Sequence, residues 1–187
     1  MITIGVISDT HIPDRAPQLH SQVASVFREA GVQVILHAGD ISTPATLEQL
    51  NEIAPVHAVR GNRDWVALRH LPFARQTEFG GVIVGLTHGH GPLLDYMRDR
   101  MDYILRGYRL QLFVPRLLAA FPAADVIVFG HTHRALNQRV DGKLVFNPGS
   151  PHFPDPKTSA PSVGLLYISD NGTAEGEIRT LSRRAGG

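Results

Sequence analysis

The sequence predicts an α/β fold with two β-sheets. Over residues 2–59, apolar runs of strand length alternate with helical patterns, which is typical of a parallel sheet with crossover helices. In the last third, the dipeptides Asp141-Gly142 and Asn171-Gly172 are hairpin-turn signals and predict antiparallel strands. The length of 187 residues, without repeats or a linker, predicts a single domain over residues 1–182 and a frayed tail at 183–187.

Three buried strands and two helices are predicted in the first part of the chain. Short apolar runs place the strands at Ile2–Ile7, Val32–Leu36 and Pro55–Val59. The segment Pro17–Ala30 carries its apolar side chains on one face, as an amphipathic helix does. The dipeptide Thr43-Pro44 predicts the start of the second helix, with Thr as N-cap and Pro at the first helical position.

The middle of the chain predicts a hairpin and a long helix. The hairpin is formed by Phe73–Phe79 and Val82–Leu86, which flank a Gly-Gly dipeptide. Helical spacing of apolar residues predicts an amphipathic helix over 93–113, which Pro115 should break or restart. This helix is rich in arginine, so it is either a solvated face or a basic lid for an anionic substrate, with dimerisation as a further role. The remaining strands are predicted at Asp125–Phe129, Ala135–Val140, Leu144–Phe146, Val163–Ser169 and Thr173–Leu181.

The composition excludes several classes of protein. There are no cysteines, which rules out disulfide scaffolds, thiolate zinc sites, iron–sulfur clusters and cysteine nucleophiles. A formal net charge of +1 argues against general nucleic-acid binding. No apolar stretch approaches the roughly 20 residues of a membrane-spanning helix, and the start lacks the pattern of a signal peptide. We therefore expect a cytoplasmic protein without a membrane partner.

Polar clusters directly follow five of the apolar runs. Ligands of α/β sheets bind beyond the carboxyl ends of the strands, so this placement predicts one built site. Five of the chain's ten histidines belong to these clusters. The clusters are Asp9-Thr10-His11, Gly39-Asp40, Gly61-Asn62-Arg63-Asp64, His88-Gly89-His90 and Gly130-His131-Thr132-His133.

The residue types and their spacing indicate a metal site. In an extended chain, residues i and i+2 point the same way, so each Asp-x-His or His-x-His pair can present two side chains to one small volume. Imidazole, carboxylate and amide ligands together suit Mn, Zn, Fe or Ni. The number of such ligands exceeds the need of one tetrahedral ion and suits two ions about 3.5–4 Å apart.

In their order and type, the motifs resemble those of the calcineurin-like metallophosphoesterases. The segment Asn147–Ser150 is similar to the small bacterial and archaeal phosphodiesterase branch, to which the retromer scaffold subunit is related. The resemblance implies a four-layer α-β-β-α sandwich with two mixed sheets, and a dinuclear site whose activated water attacks phosphorus. Mn²⁺ is the favoured ion, with Zn²⁺, Fe²⁺ and Ni²⁺ as alternatives. By motif, one ion would take Asp9, His11, Asp40 and His133, and the other would take Asp40, Asn62, His88 and His131.

One position departs from the family pattern. Many relatives carry His at the third position of Gly-Asn-x-Asp, where it acts on the leaving group, but this chain has Arg63. A guanidinium does not release a proton at working pH, so Arg63 is expected to grip a phosphate oxygen. His90 is then the nearest alternative acid in the sequence, and Asp64 is expected to orient a neighbouring group. Arg63, Asp64 and His90 are therefore the candidate catalytic residues.

The function predicted from these features is a metal-dependent phosphodiesterase of small phosphoester substrates, nucleotides among them. One alternative is a phosphomonoesterase or protein phosphatase, against which the Arg63 position counts. The other is a non-catalytic scaffold on the same fold, against which the complete set of ligand types counts. Assembly into a homo-oligomer is left open.

Overall fold

The computed structural model describes residues 1–91, 101, 110–154 and 160–182 of the chain. The predicted tail at 183–187 and most of the predicted helix at 93–113 lie outside the described residues. The helices are α1 (Gln22–Glu29), α2 (Pro44–Asn51) and α3 (Leu110–Ala120). The strands are β1 (Ile2–Ile7), β2 (Val34–His37), β3 (Val56–Ala58), β4 (Ala74–Phe79), β5 (Val82–Thr87), β6 (Val126–Val128), β7 (Ala135–Val140), β8 (Lys143–Pro148), β9 (Ser162–Ile168) and β10 (Ala174–Thr180).

The strands form two five-stranded mixed sheets, in the orders β10-β9-β1-β2-β3 and β4-β5-β6-β8-β7. In the first sheet, β1, β2 and β3 run parallel, as the alternation of strands and helices predicts, and β9 is antiparallel to β1 and β10. In the second sheet, β5, β6 and β8 run parallel, while the outer strands β4 and β7 are antiparallel to their neighbours. The predicted α/β fold with two mixed sheets is confirmed.

The core is layered because successive side chains of a strand point to opposite faces of the sheet. In the central layer, buried residues of the first sheet, such as Ile4, pack with buried residues of the second, such as Phe146. On the outer face of the first sheet, Ile35 packs with Phe27 of α1. On the outer face of the second sheet, Ile127 packs in the same cluster as α3. The layers therefore follow the order α-β-β-α.

Helix α1 begins at Gln22, so the predicted start at Pro17 is wrong. The imidazole of His20 accepts the backbone N–H of Gln22 at 3.3 Å, and its other nitrogen contacts the Ser182 carbonyl at 3.1 Å. A side chain that bonds to the nearby backbone in this way competes with the helical hydrogen bonds of the preceding residues. The apolar pattern extended further than the helix because it contains no information about this contact.

Helix α3 contains Pro115 in its interior, so the predicted break at this residue is wrong. Proline costs the helix one hydrogen bond, but Phe113 and Leu117 on either side of it are buried against the second sheet. Helix α2 begins at Pro44 as predicted, although the side chain of Thr43 makes no capping hydrogen bond. No helix within the described parts of the chain has the length and apolarity needed to cross a membrane.

Candidate metal centre

The carboxyl ends of parallel strands from both sheets meet at one edge of the sandwich. Strands β1, β2 and β3 lead into the loops that carry Asp9, Asp40 and Asn62. Strands β5 and β6 of the other sheet lead into the loops that carry His88 and His131. All the polar clusters singled out from the sequence therefore lie at this edge, on loops rather than within the strands.

The first group of candidate ligands consists of Asp9, His11 and His133, and one ligand atom of each lies within 4.8 Å of the others. His133 Nε2 lies 3.4 Å from Asp9 Oδ1 and 3.3 Å from His11 Nε2. Asp40 approaches this group from the side, with its Oδ2 at 3.8 Å from His11 Nε2. These are the four residues that the resemblance assigns to one ion.

The second group consists of Asp9, Asp40 and His88. His88 Nε2 lies 3.4 Å from Asp40 Oδ1 and 3.2 Å from Asn62 Oδ1. Asp40 thus faces His88 with one carboxylate oxygen and His11 with the other. This is the arrangement required of a carboxylate that bridges two ions.

His131 is brought to the same centre but belongs to neither group. Its backbone N–H donates to Asp9 Oδ2 at 3.0 Å, and its ring centroid lies 5.1 Å from that of His88. Burial lowers the pKa of His131 to about 3, and the neighbouring His88 adds to this effect. The ring is therefore neutral at neutral pH, as a histidine that binds a metal must be.

Left-handed backbone occurs at most of the candidate ligands. Such a conformation is unfavourable for residues other than glycine, and only two further non-glycine residues in the described ranges adopt it. The prediction that extended backbone pairs the i and i+2 side chains is therefore wrong for the Asp-x-His pair and for the second His-x-His pair, since both members of each lie in left-handed turns. The φ angles are 54° at Asp9, 50° at His11, 54° at Asp40, 69° at His131 and 56° at His133.

The donor set of this centre fits a divalent cation. His88 Nδ1 lies 2.7 Å from the Ala38 carbonyl, which can only accept, so Nδ1 carries a hydrogen, and in the neutral ring Nε2 presents a lone pair to Asp40. The Phe153 carbonyl, 2.5 Å from His133 Nδ1, fixes the tautomer of neutral His133 in the same way. Acceptor then faces acceptor in both places, and such a contact repels unless a proton or a cation lies between the two atoms.

The pKa values of the buried carboxylates and of His133 depend on their neighbours in the centre. Burial raises the pKa of Asp9, but His133 and two further histidines outweigh burial and hold that pKa below its usual value. Burial, together with the Asp9 charge, raises the pKa of Asp40. Burial lowers the pKa of His133, but Asp9 outweighs it and raises that pKa. Asp9 Oδ1 and His11 Nδ1 are buried without a hydrogen-bond partner among the described residues, and such atoms are costly unless a ligand satisfies them.

Asp64 joins the loop after β2 to the loop after β3. Its Oδ1 accepts the backbone N–H groups of Ile41 at 2.9 Å and Ser42 at 2.8 Å, and its Oδ2 accepts that of Gly61 at 2.7 Å. The carboxylate is buried at 1% exposure, so it acts inside the protein and not on a substrate directly.

Two glycines allow these loops to approach each other. A Cβ atom at Gly61 would overlap the carboxylate and the backbone nitrogen of Asp40. Gly39 has a φ of 89°, and a Cβ atom there would lie 2.8 Å from both the Gly61 nitrogen and His88 Nδ1. Only glycine fits at either position without displacing a candidate ligand.

Three supporting residues were missed in the sequence. Ser8 Oγ donates to Asp9 Oδ2 at 2.7 Å, and Ser150 Oγ donates to the Asp9 carbonyl at 2.9 Å. His37 is fully buried, and its Nδ1 accepts the backbone N–H of Gly39 at 3.2 Å. A serine beside an aspartate is too common to signal this role, while the position of Ser150 in the Asn-Pro-Gly-Ser segment could have suggested it.

The remaining two candidates lie at the border of the centre. Arg63 is exposed, and its backbone N–H donates to Asp40 Oδ1 at 2.9 Å. Burial lowers the pKa of His11 to about 4, and the positive charge of Arg63 makes one of the smaller contributions. His90 is buried, with its ring centroid 5.3 Å from that of His88, and burial lowers its pKa to about 4. A ring that is neutral at pH 7 is a poor general acid.

The fold and these motifs agree with a match to a family model, the calcineurin-like phosphoesterase superfamily domain, over residues 2–171. The chain belongs to this superfamily. It is 38% identical to a probable metallophosphoesterase of Methanothermobacter thermautotrophicus over 177 residues, which are 95% of this chain and 92% of that protein. It is 24% identical to a phosphodiesterase of Methanocaldococcus jannaschii, covering 87% of this chain and 91% of that one.

Solved structures of other proteins share this fold. The crystal structure of Entamoeba histolytica Vps29 complexed with Zn²⁺ matches with a TM-score of 0.70 and 24% identity, covering 95% of this chain and 98% of the other. The family uses divalent metals, and the two groups described above offer candidate ligands for them. The resemblance to the calcineurin-like metallophosphoesterases is confirmed.

Proposed function

We propose that this protein is a metal-dependent phosphodiesterase that hydrolyses small phosphodiesters, nucleotides among them. The observation that carries the proposal is the contact of His88 Nε2 with Asp40 Oδ1 at 3.4 Å, while Nδ1 of the same ring donates to the Ala38 carbonyl and leaves Nε2 of the neutral ring without a hydrogen. Two acceptors that face each other in a buried site are favourable with a cation between them. The phosphodiesterase of M. jannaschii, which is similar over most of its length, supports the choice of reaction.

Two divalent ions would be held here, and the combination of imidazole, carboxylate and amide oxygen suits Mn²⁺, which we favour, as well as Zn²⁺, Fe²⁺ and Ni²⁺. When bound, such ions lower the pKa of a shared water and neutralise the phosphoryl oxygens. One ion is assigned to Asp9, His11, Asp40 and His133, and the other to Asp40, Asn62, His88 and His131.

The remaining candidate residues bind the substrate or position the loops that carry the ligands. Arg63 is exposed on the loop that carries Asn62, where its backbone contacts Asp40, and its guanidinium can hold a phosphate oxygen through two donors. Asp64 keeps the Asp40 loop and the Asn62 loop in register through its three backbone hydrogen bonds. His90 borders the centre as a neutral ring.

Positive charge around the centre favours an anionic substrate. Arg116 donates through Nη2 to the Gly89 carbonyl at 2.8 Å, next to His90. Besides burial, the charges of Arg116 and Arg60 contribute to the lowered pKa of His90, so both guanidinium groups act on this region. A phosphodiester carries the negative charge that such a field attracts.

The experiment is a metal-reconstituted assay. Protein stripped with a chelator and reloaded separately with Mn²⁺, Zn²⁺, Fe²⁺ or Ni²⁺ is tested on bis-p-nitrophenyl phosphate, p-nitrophenyl phosphate and cyclic nucleotides. Its metal content is measured by mass spectrometry. We expect two bound ions, no activity without them, and a loss of at least about a hundredfold in Asp40→Asn. Asp170→Asn, whose side chain is 91% exposed, is the matched control.

The outcomes separate the alternatives. Activity that survives complete metal removal would contradict the mechanism. A faster reaction with the monoester than with the diester would favour a phosphomonoesterase. A fully metal-loaded protein without activity on any of these esters would favour a non-catalytic scaffold.

A further inference from the structure

A pocket of about 400 Å³ lies beside the candidate metal centre, lined by Phe73, Ala74, Thr87, His90 and Gly91. Ala74 at the start of β4 pairs with Thr87 at the end of β5, so the pocket opens at the same sheet edge as the centre. Its volume is within the range of small-molecule sites.

His90 connects this pocket to the centre. Its ring centroid lies 5.3 Å from that of His88, 6.2 Å from that of His131 and 6.1 Å from that of Phe73. The side chain is more than nine-tenths buried, and Nδ1 has no hydrogen-bond partner among the described residues. A buried polar atom of this kind is costly, which indicates that a ligand supplies its partner.

Phe73 forms an aromatic wall held in place from one side. The Arg60 guanidinium stacks over the ring at 3.7 Å from its centroid, and Arg60 Nη1 donates to the Arg69 carbonyl at 3.0 Å. The ring is nevertheless 49% exposed, so part of its surface is accessible to a ligand. The second polar side chain of the lining is occupied, because Thr87 Oγ1 donates to the Phe73 carbonyl and accepts the N–H of Gly89.

We propose that this pocket is a substrate subsite that binds an aromatic or nucleobase ester group of the phosphodiester, with Phe73 as its specificity-determining residue. A flat, largely apolar group matches the Phe73 ring, and a single polar edge on that group matches His90 Nδ1. The phosphate would then lie at the metal centre, on the other side of His90. This inference rests on the proposed function and names the substrate class within it.

The test is direct binding to the metal-loaded protein, measured by calorimetry with phenylphosphonate and methylphosphonate. Neither probe is an ester, so neither can be hydrolysed. We expect phenylphosphonate to bind about tenfold more tightly, because affinity rises with the apolar area that the pocket buries. Phe73→Ala should reduce this ratio to about twofold or less, and Phe73→Leu should give an intermediate ratio, since it keeps part of the apolar area.

Trp65→Ala is the matched control, because Trp65 is an aromatic residue at 58% exposure on the same β3–β4 connection and does not line the pocket. Its ratio should equal that of the unchanged protein. Equal affinities of the two probes, or a Trp65→Ala ratio that falls as far as that of Phe73→Ala, would overturn the subsite. Failure of the proposed function shows separately, as absent metal-dependent hydrolysis of bis-p-nitrophenyl phosphate.

Discussion

Removing the charge of Asp64 should weaken both the fold and the metal centre. Its buried carboxylate accepts three backbone N–H groups, those of Ile41, Ser42 and Gly61. In Asp64→Asn, the amide oxygen can still accept two of them, but the amide NH₂ then faces the third donor. The loss of one charge-assisted hydrogen bond and the stranded donor together predict a destabilisation of about 2 kcal/mol. Asp64→Ala strands all three donors, and about 4 kcal/mol or more is expected.

The metal affinity should fall with the stability, because the same hydrogen bonds align the Asp40 loop with the Asn62 loop. Residues that support ligands typically contribute 10–100-fold to metal affinity, so Mn²⁺ binding by Asp64→Asn should weaken by at least about tenfold. Urea unfolding followed by circular dichroism gives the stability of the metal-free protein, and calorimetric titration gives the affinity. The control is Asp170→Asn, which removes an aspartate whose side chain is 91% exposed and should change stability by less than about 0.5 kcal/mol.

If Asp64→Asn unfolds at the urea concentration of the unchanged protein and binds Mn²⁺ with the same affinity, Asp64 has neither the stabilising nor the positioning role. A loss of stability without a loss of affinity would contradict the positioning role alone. In that case the three hydrogen bonds would stabilise the loops without aligning the ligands.

Three further predictions concern the same centre. Gly61→Ala should weaken Mn²⁺ binding by at least about tenfold, because its Cβ would overlap Asp40; an unchanged titration would contradict this. Arg63→Ala should raise KM for bis-p-nitrophenyl phosphate about tenfold at unchanged metal content, and unchanged KM and kcat would rule out phosphate binding by Arg63. The metal-free protein should lose stability as the pH falls from 6.5 towards 4. In this range His11 and His131 bind protons in the unfolded chain but stay neutral in the folded protein, where their pKa values are lowered to about 4 and about 3. The stabilising contribution of His133, whose pKa is raised, builds up mainly above pH 6.5 as the pH falls and changes little below it, so a urea midpoint that rises on acidification from pH 6.5 towards 4 would contradict the prediction.

The sequence was most informative where periodicity and chemistry coincide. Apolar runs located the buried strands, such as β1 and β9, to within a few residues, because burial on both faces requires apolar side chains throughout. The outer strands β4 and β7 are largely exposed, and their prediction came from the turn signals beside them. The motif order placed the candidate ligands at strand ends, and the structure brings Asp9, Asp40 and His88 within 4.8 Å of one another. The start of α1 could not be predicted in this way, since it depends on a contact between His20 and the distant Ser182.

The backbone conformation of the loops could not be predicted from the sequence pattern. Alternation of side chains in an extended chain suggested how Asp9 and His11 come together, but both adopt left-handed backbone instead. Supporting contacts such as that of Ser150 with the Asp9 carbonyl join residues 141 positions apart. Neither the left-handed backbone nor these long-range contacts can be recognised from neighbouring residues in the sequence, because both depend on the tertiary arrangement of several loops.

The left-handed turns explain why so many buried hydrogen bonds surround the centre. Each costs roughly 1–2 kcal/mol relative to ordinary backbone, with less at Asp, so five of them consume free energy comparable to the whole net stability of a domain. The contacts made by Ser8, His37 and Asp64 offset that cost from within the protein. The layered core on both sides of the sheets supplies the rest. Because the chain's own hydrogen bonds hold these turns, less of the binding energy of a cation would be spent on ordering the loops.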